Sequence, residues 1–242
     1  MSIIRKLCLT ISLCLCAPLF AAAQNSDLQF LPEVDTYLKL NSMFRAYSQV
    51  KDDRDGGDST QVTNGPSIQM FLPPILKLKR VTAFDLDDAK KRPLVLEAGY
   101  RYITAPDAPV DNRFLTSVTF HFPLKADFLI TNRNRADLDW KANTFKWRYR
   151  NKTTLERTFA IHSYHLIPYF AEESYYESQY DKWSTTEVYA GCLLPVGQHV
   201  EFNPYYEHAN NTGSKKGNTQ DNYVGLALYL FFSVGKEPPP AK

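Results

Sequence analysis

Apolar and polar side chains alternate along most of the chain with a period of two, the spacing of strands whose faces meet different surroundings. Val34, Thr36, Leu38, Leu40 and Phe44 share one parity, with Asp35, Tyr37, Lys39, Asn41 and Arg45 on the other. Leu94, Leu96, Ala98, Tyr100 and Tyr102 oppose Glu97, Gly99 and Arg101, and Phe114, Thr116, Val118, Phe120 and Phe122 oppose Ser117, Thr119 and His121. Val200, Phe202, Pro204 and Tyr206 stand against Glu201, Asn203, Tyr205 and Glu207, and Val224, Leu226, Leu228, Leu230 and Phe232 line one face of the last segment. Residues 67–84 read as one long strand disturbed by Pro73-Pro74. Asp85–Arg92 reads as a charged turn, and 166–176 as a Tyr- and Glu-rich strand of undetermined facing. Glu187–Leu194 is a strand closed by the tight turn Pro195–Gln198, while Lys51–Pro66 and His208–Asp221 read as long polar loops.

The most constrained stretch is Arg133–Glu156. Trp140 opposite Phe145, across the turn Lys141–Thr144, sets Arg133 against Lys152, Arg135 against Arg150, Asp137 against Arg148 and Asp139 against Lys146. The other face pairs Leu138 with Trp147 and Ala136 with Tyr149. A slip of one residue mixes charge and bulk on both faces, so only this register keeps them apart. A charged face this dense is not the buried side of a soluble sandwich unless every ion is paired. It fits the wet interior of a barrel whose outer face meets lipid.

These segments predict an all-β fold: an antiparallel up-and-down transmembrane β-barrel of about ten strands, one domain over residues 24–232 and a monomer. A soluble periplasmic sandwich or lipocalin-like barrel would turn the same faces the other way. The aromatic load on the apolar faces and the final strand favour the membrane. With the amino terminus in the periplasm, 51–66 and 208–221 fall outside, as does the short turn Lys141–Thr144. Pro123–Ala126 and Pro195–Gln198 then fall inside.

Composition changes the picture only at the ends. Residues 1–23 read as a cleaved export signal: Arg5 and Lys6, an apolar run from Leu7 to Phe20, and Ala21-Ala22-Ala23 before Gln24. The run is shorter than the ~20 residues a spanning helix needs. Cleavage removes Cys8, Cys14 and Cys16, leaving Cys192 alone in an apolar setting with Val188, Ala190 and Leu194 on its parity. Losing Arg5 and Lys6 from 28 basic residues leaves a mature chain balanced against its 26 acidic ones, without the basic excess that nucleic acid requires. Residues 233–242 form a short periplasmic tail. Gly225 with Leu228 and Leu230 resembles the carboxy-terminal signal read by the barrel-assembly machinery, although the tail runs on past Phe232.

NRNRADLDW, FKWRYRNKTTLER, PYFAEESYY and the YYEH…NYVGLALYLFF ending resemble the outer-membrane β-barrel family called domain of unknown function 2490, from about Leu31 to Phe232. The resemblance implies an outer-membrane barrel of a Gram-negative bacterium and imports no activity, so function has to come from sites.

Arg133, Arg135, Arg148, Arg150 and Lys152 could draw anions into a lumen. The plainer expectation is a ladder of ion pairs with Asp137, Asp139, Glu97, Glu156, Glu173, Glu201 and Glu207, because unpaired ions in a narrow interior are costly. The leading function is therefore a structural or envelope-interaction barrel, or a narrow pore, without enzymatic activity. An alternative is a lipid-modifying hydrolase using His208. Tyr206–Gly213 loosely resembles the His-x-Ser-Asn stretch of outer-membrane lipid A deacylases, but Asn210 stands at the serine position, and an amide does not replace an activated hydroxyl. Thr212 or Ser214 would have to serve, with Glu207 or Glu201 nearby, and alternation sends Glu207 and His208 to opposite faces. His162 and His165 likewise diverge and do not share a metal, and Asp52–Asp58 reads as a solvated loop rather than a calcium site. No cofactor or metal is expected. The partners are outer-membrane lipids and the assembly machinery, not nucleic acid.

Overall fold

The computed structural model describes residues 28–72, 85–162, 164–213 and 218–234. Residues 1–23, read as an export signal, residues 73–84 of the segment read as one long strand, Ser214 and nearly all of the tail lie outside these. The strands are β1 (Leu28–Lys39), β2 (Phe44–Asp55), β3 (Asp58–Leu72), β4 (Leu94–Thr104), β5 (Asp111–Pro123), β6 (Phe128–Lys141), β7 (Thr144–Arg157), β8 (Phe159–Ile161), β9 (Tyr164–Glu177), β10 (Lys182–Val196), β11 (Val200–Asn211) and β12 (Thr219–Ser233). β8 continues β7 in register along β9, Glu156 facing Tyr169 and Phe159 facing Leu166. Eleven long strands therefore form the wall, each antiparallel to the next, and β1 closes the barrel on β12.

The expected closed all-β barrel is present, with eleven wall strands instead of about ten. An odd number leaves the first and last strands pointing the same way, and β1 and β12 pair in parallel from Leu28 beside Asn222 to Lys39 beside Ser233. The segment read as continuous through residues 34–45 is in fact reversed at residues 40–43. Asn41 Oδ1 there accepts the backbone N–H groups of Met43 at 2.8 Å and Phe44 at 2.9 Å, a side-chain substitute for a turn. Two further expectations are corrected. Residues 51–66 are not a loop but the β2–β3 hairpin, reversing at Gly56-Gly57 with φ of +59° and +95°. Half of 208–221, residues 208–211 and 219–221, belongs to β11 and β12.

One end of the barrel carries the start of β1, the reversals at 56–57 and 142–143, the end of β11 and the start of β12; the other carries 40–43, 124–127, 197–199 and the end of β12. The amino end of β1 thus shares an end with the reversal at 56–57 and with the end of β11, where the sequence reading set 51–66 and 208–221 opposite it. The additional reversal at 40–43 is the cause.

The two faces of the wall sort by charge, and the ions are inside. Asp35, Arg45, Arg101, Asp137, Glu173 and Glu201 are buried, whereas Phe30, Val34, Phe114, Phe170, Phe202 and Leu226 are exposed on the outer wall. That is the reverse of a soluble barrel. Rings gather outside at one end of β6–β10: Trp140 on Phe145 at 5.1 Å, Trp147 on Tyr176 at 5.6 Å and Tyr176 against Trp183 at 5.9 Å. The central hairpin has the expected register at every pair, Arg133 on Lys152 through Trp140 on Phe145.

That hairpin turns through Ala142 and Asn143 at φ +47° and +61°, the left-handed pair that matches strand twist in a two-residue turn. An alanine held there bears a Cβ penalty that glycine does not. Ala142→Gly should raise the unfolding free energy by about 1 kcal/mol, and Gly197→Ala, at φ +68°, should lower it by about as much. Urea titration of the detergent-folded protein reads both.

Candidate functional site

Strand alternation brings inward-facing side chains from every wall strand around one cavity of about 580 Å³. Arg133 and Arg135 of β6, Arg148, Arg150 and Lys152 of β7, Glu97 of β4 and Glu173 of β9 all line it, as the sequence pattern expected. Asp137 sits behind the guanidinium groups and is 0% exposed.

Asp137 Oδ1 accepts the Arg135 Nε–H at 2.5 Å, and its Oδ2 lies 3.5 Å from Arg148 and 3.9 Å from Arg150. Glu173, 1% exposed, accepts from Arg150 Nε at 2.9 Å and Arg133 Nη2 at 3.2 Å, with Lys152 Nζ 3.7 Å away. Two buried carboxylates therefore serve five cations. Asp139 and Glu177, at 3.6 and 3.5 Å, take the remaining edges of Arg148, and Asp139 also holds Arg113 at 2.5 Å. Of the other carboxylates expected on the ladder, Glu97 takes Gln69 and Arg101, and Glu156 takes Lys90. Glu201 and Glu207 form no ion pair among the described residues, which corrects their expected role.

The lumen is partly divided by sign, although Lys51 of β2 stands beside Glu33 and Glu173 stands among the basic groups. β1 lies five strands from β6 in one direction and six in the other, so its inward Glu33 and Asp35 oppose the basic wall, with Glu201 and Glu207 of β11 alongside. Glu201 is 1% exposed, and its Oε2, like Asp35 Oδ1 and Asn203 Oδ1, is buried without a hydrogen-bond partner. The two walls touch through tyrosine: Arg150 Nη2 donates to the Tyr175 hydroxyl at 2.7 Å, which donates to Glu187 at 2.5 Å. Tyr189 also donates to Glu187, and Lys152 sits 3.5 Å from the centre of its ring.

Residues 85–92, read from sequence as a charged turn, instead fold into one end of the lumen. A short 3₁₀ turn, Asp88–Lys91, is capped by Asp87, whose Oδ1 accepts the Ala89 N–H at 2.9 Å. Lys90 reaches Asp85 at 2.5 Å and Glu156 of β7 at 2.8 Å; Arg45 of β2 holds Asp87 at 2.5 Å and Asp88 at 3.3 Å. His121 Nδ1 donates to the Arg92 carbonyl at 2.7 Å, and Ala89 packs with Phe71 and Val95. Burial pushes the Asp85 carboxyl up to about 6, despite Lys90 beside it. Burial also opposes the charge on Lys90, but Asp85 and Glu156 hold its ammonium well above the usual range. Asp87 stays low because Arg45 and Lys90 outweigh its burial.

His208 stands on the outer face, its Nδ1 2.9 Å from Asn222 Oδ1, while Glu207 points into the lumen. Thr212 Oγ1 donates to the Ser184 carbonyl at 3.1 Å, and Ser214 lies outside the described residues. No hydroxyl, imidazole and carboxylate come together there among the described residues. His162 occupies a turn at φ +58° and His165 is the second residue of β9. Among the described residues no three His, Cys, Asp or Glu side chains could hold a metal ion. The sequence reading passed over Arg45, Arg101, Lys90 and Glu187 as site residues. Parity marks the inward facing of Arg45, Arg101 and Glu187, whereas nothing local marks Lys90. No protein-family model, curated protein or solved structure matches the chain.

Removing one partner of a buried ion network strands the others. Asp137→Ala should therefore cost about 3–5 kcal/mol of unfolding free energy, more than Arg133→Ala, whose side chain is partly exposed; urea titration in detergent compares them. A carboxyl that binds its proton more tightly when folded loses stability as pH rises from its unfolded value to its folded one. For Asp85 that interval runs from 3.8 to about 6. Wild type should lose on the order of 2–3 kcal/mol relative to Asp85→Asn across it, and parallel pH profiles of the two proteins test this.

Proposed function

We propose that the protein is a Gram-negative outer-membrane barrel whose lumen is a narrow, charge-split compartment for small dipolar solutes, closed at one end by residues 85–92. The observation that carries this reading is the coexistence of an apolar, aromatic outer wall with a polar cavity of about 580 Å³. An apolar wall around a charged interior suits lipid outside and water inside. A solute bearing both an ammonium and a carboxylate can satisfy the two walls at once, meeting Glu201 and Glu207 on one side and Arg133 and Arg150 on the other. A simple anion or cation is drawn by one wall and repelled by the other. The chain reaches the membrane by its export signal and the barrel-assembly machinery, and the resemblance to the domain of unknown function 2490 family belongs to the same proposal. Non-catalytic function fits the placement of His208 apart from Glu207.

Swelling of protein-loaded liposomes tests the compartment. A small zwitterionic amino acid should enter several-fold faster than a neutral polyol of equal size. Arg135→Ala with Arg150→Ala, or Glu187→Gln with Glu207→Gln, should bring the two rates together. Lys90→Ala, which frees the end segment from Glu156 of β7, should raise both rates. Should neither wild type nor Lys90→Ala admit any solute, the compartment is wrong and a purely structural barrel replaces it.

A further inference from the structure

The outer wall is not uniformly apolar. Along β6 the outward residues run Phe128, Ile130, Asn132, Asn134, Ala136, Leu138 and Trp140, because Arg133, Arg135 and Asp137 point inward. Two amides therefore lie midway between aromatic ends. On β7 Asn151 and Thr153 stand beside them, Asn134 opposite Asn151 and Asn132 opposite Thr153. On β9 Glu172 lies opposite Thr153. The group is tied together: Asn134 Nδ2 donates to Asn132 at 2.7 Å, Asn151 Nδ2 to Asn134 at 2.9 Å and Asn132 Nδ2 to Thr153 at 2.9 Å. Among the described residues Glu172 accepts a hydrogen bond from the Ser174 hydroxyl alone, at 2.5 Å.

If the wall faces acyl chains, as proposed above, this is a poor surface to show them. Asn132 Nδ2 also reaches Asn151 Oδ1 at 3.3 Å, but Asn134 and Asn151 each use one of their two N–H donors in this network, and a carboxylate at mid-depth in hydrocarbon is expensive. Polar side chains at that depth serve instead to bond one protein element to another. The chemistry of the patch selects its occupant. Amides both donate and accept, so the patch complements itself across a two-fold axis. It also carries, side by side, the acceptor Glu172 and the N–H donors that this carboxylate lacks. We infer that a second copy of this chain docks on the outer face of β6, β7 and β9, so that the assembly is a two-fold dimer rather than the monomer expected from sequence.

The test uses the mature chain refolded in detergent and in phosphatidylcholine–phosphatidylglycerol vesicles, with flotation reporting insertion separately from assembly. In a Cys192→Ser background, oxidation of Asn134→Cys should yield disulfide-linked dimers at least ten-fold above Val34→Cys on the far wall. Asn134→Leu with Asn151→Leu and Glu172→Leu should sediment as a monomer while keeping its β-sheet circular dichroism. Protein that floats with the vesicles but sediments as a monomer, or crosslinks equally from both positions, overturns the dimer and leaves the membrane reading intact. So does crosslinking in cells only to a different, larger species. Protein that does not float overturns both.

Discussion

Two carboxylates out of reach of water, Asp137 and Glu173, organise the barrel. Each costs several kcal/mol to desolvate and is tolerable only while cations surround it. Each is surrounded by three, contributed by β6 and β7. That requirement fixes the register of the hairpin, since a shift of one residue turns the cations outward and leaves the carboxylates bare. It also fixes which face of the sheet is inside. Once β6, β7 and β9 are committed, hydrogen-bonded neighbours inherit their facing strand by strand until β1 meets β12.

How much of this is legible in sequence depends on what each reversal does to parity. In the hairpin of β6 and β7, Arg133 pairs with Lys152, so inward residues are odd on one strand and even on the next. The alternation breaks at the turn, and the break announces it. In β1 and β2, Lys39 pairs with Arg45 and Tyr37 with Tyr47, odd with odd. Alternation runs straight through residues 40–43, which makes two strands look like one and hides the parallel closure that follows from an odd count. The hairpin of β2 and β3 hides differently. Lys51, Asp52, Asp53 and Arg54 are polar on both faces, which reads as loop, yet the ladder continues to Asp55 opposite Asp58.

The lumen was legible in composition but not in pairing. Parity placed the guanidinium groups and carboxylates inside. Which of them meet depends on the circumference, because partners such as Arg133 and Glu173 stand on strands separated by another, or, like Lys90 and Glu156, 66 residues apart in the chain. The inward course of residues 85–92 is of the same kind. Its capping Asp87 and its lysine are ordinary features of a charged turn, and only the presence of Arg45, His121 and Glu156 at one end of a closed wall gives those charges somewhere to go. Among the described residues Glu201 forms no ion pair, and Lys90, which the end segment brings into the lumen, is engaged by Asp85 and Glu156.

The hairpin that supplies the inner charges is also polar on much of its outer face. Near its turn, Leu138, Trp140, Phe145 and Trp147 give that face the bulk expected of a wall in lipid, but farther from the turn Asn132, Asn134, Asn151 and Thr153 replace it. Inward residues are explained by the ions they bind. The outward amides neutralise nothing in the lumen, since the sheet separates the two faces. A wall segment polar on both faces gains little from hydrocarbon on either side. The lumen satisfies one side through Asp137 and Glu173. In the dimer proposed above, the second copy would satisfy the other.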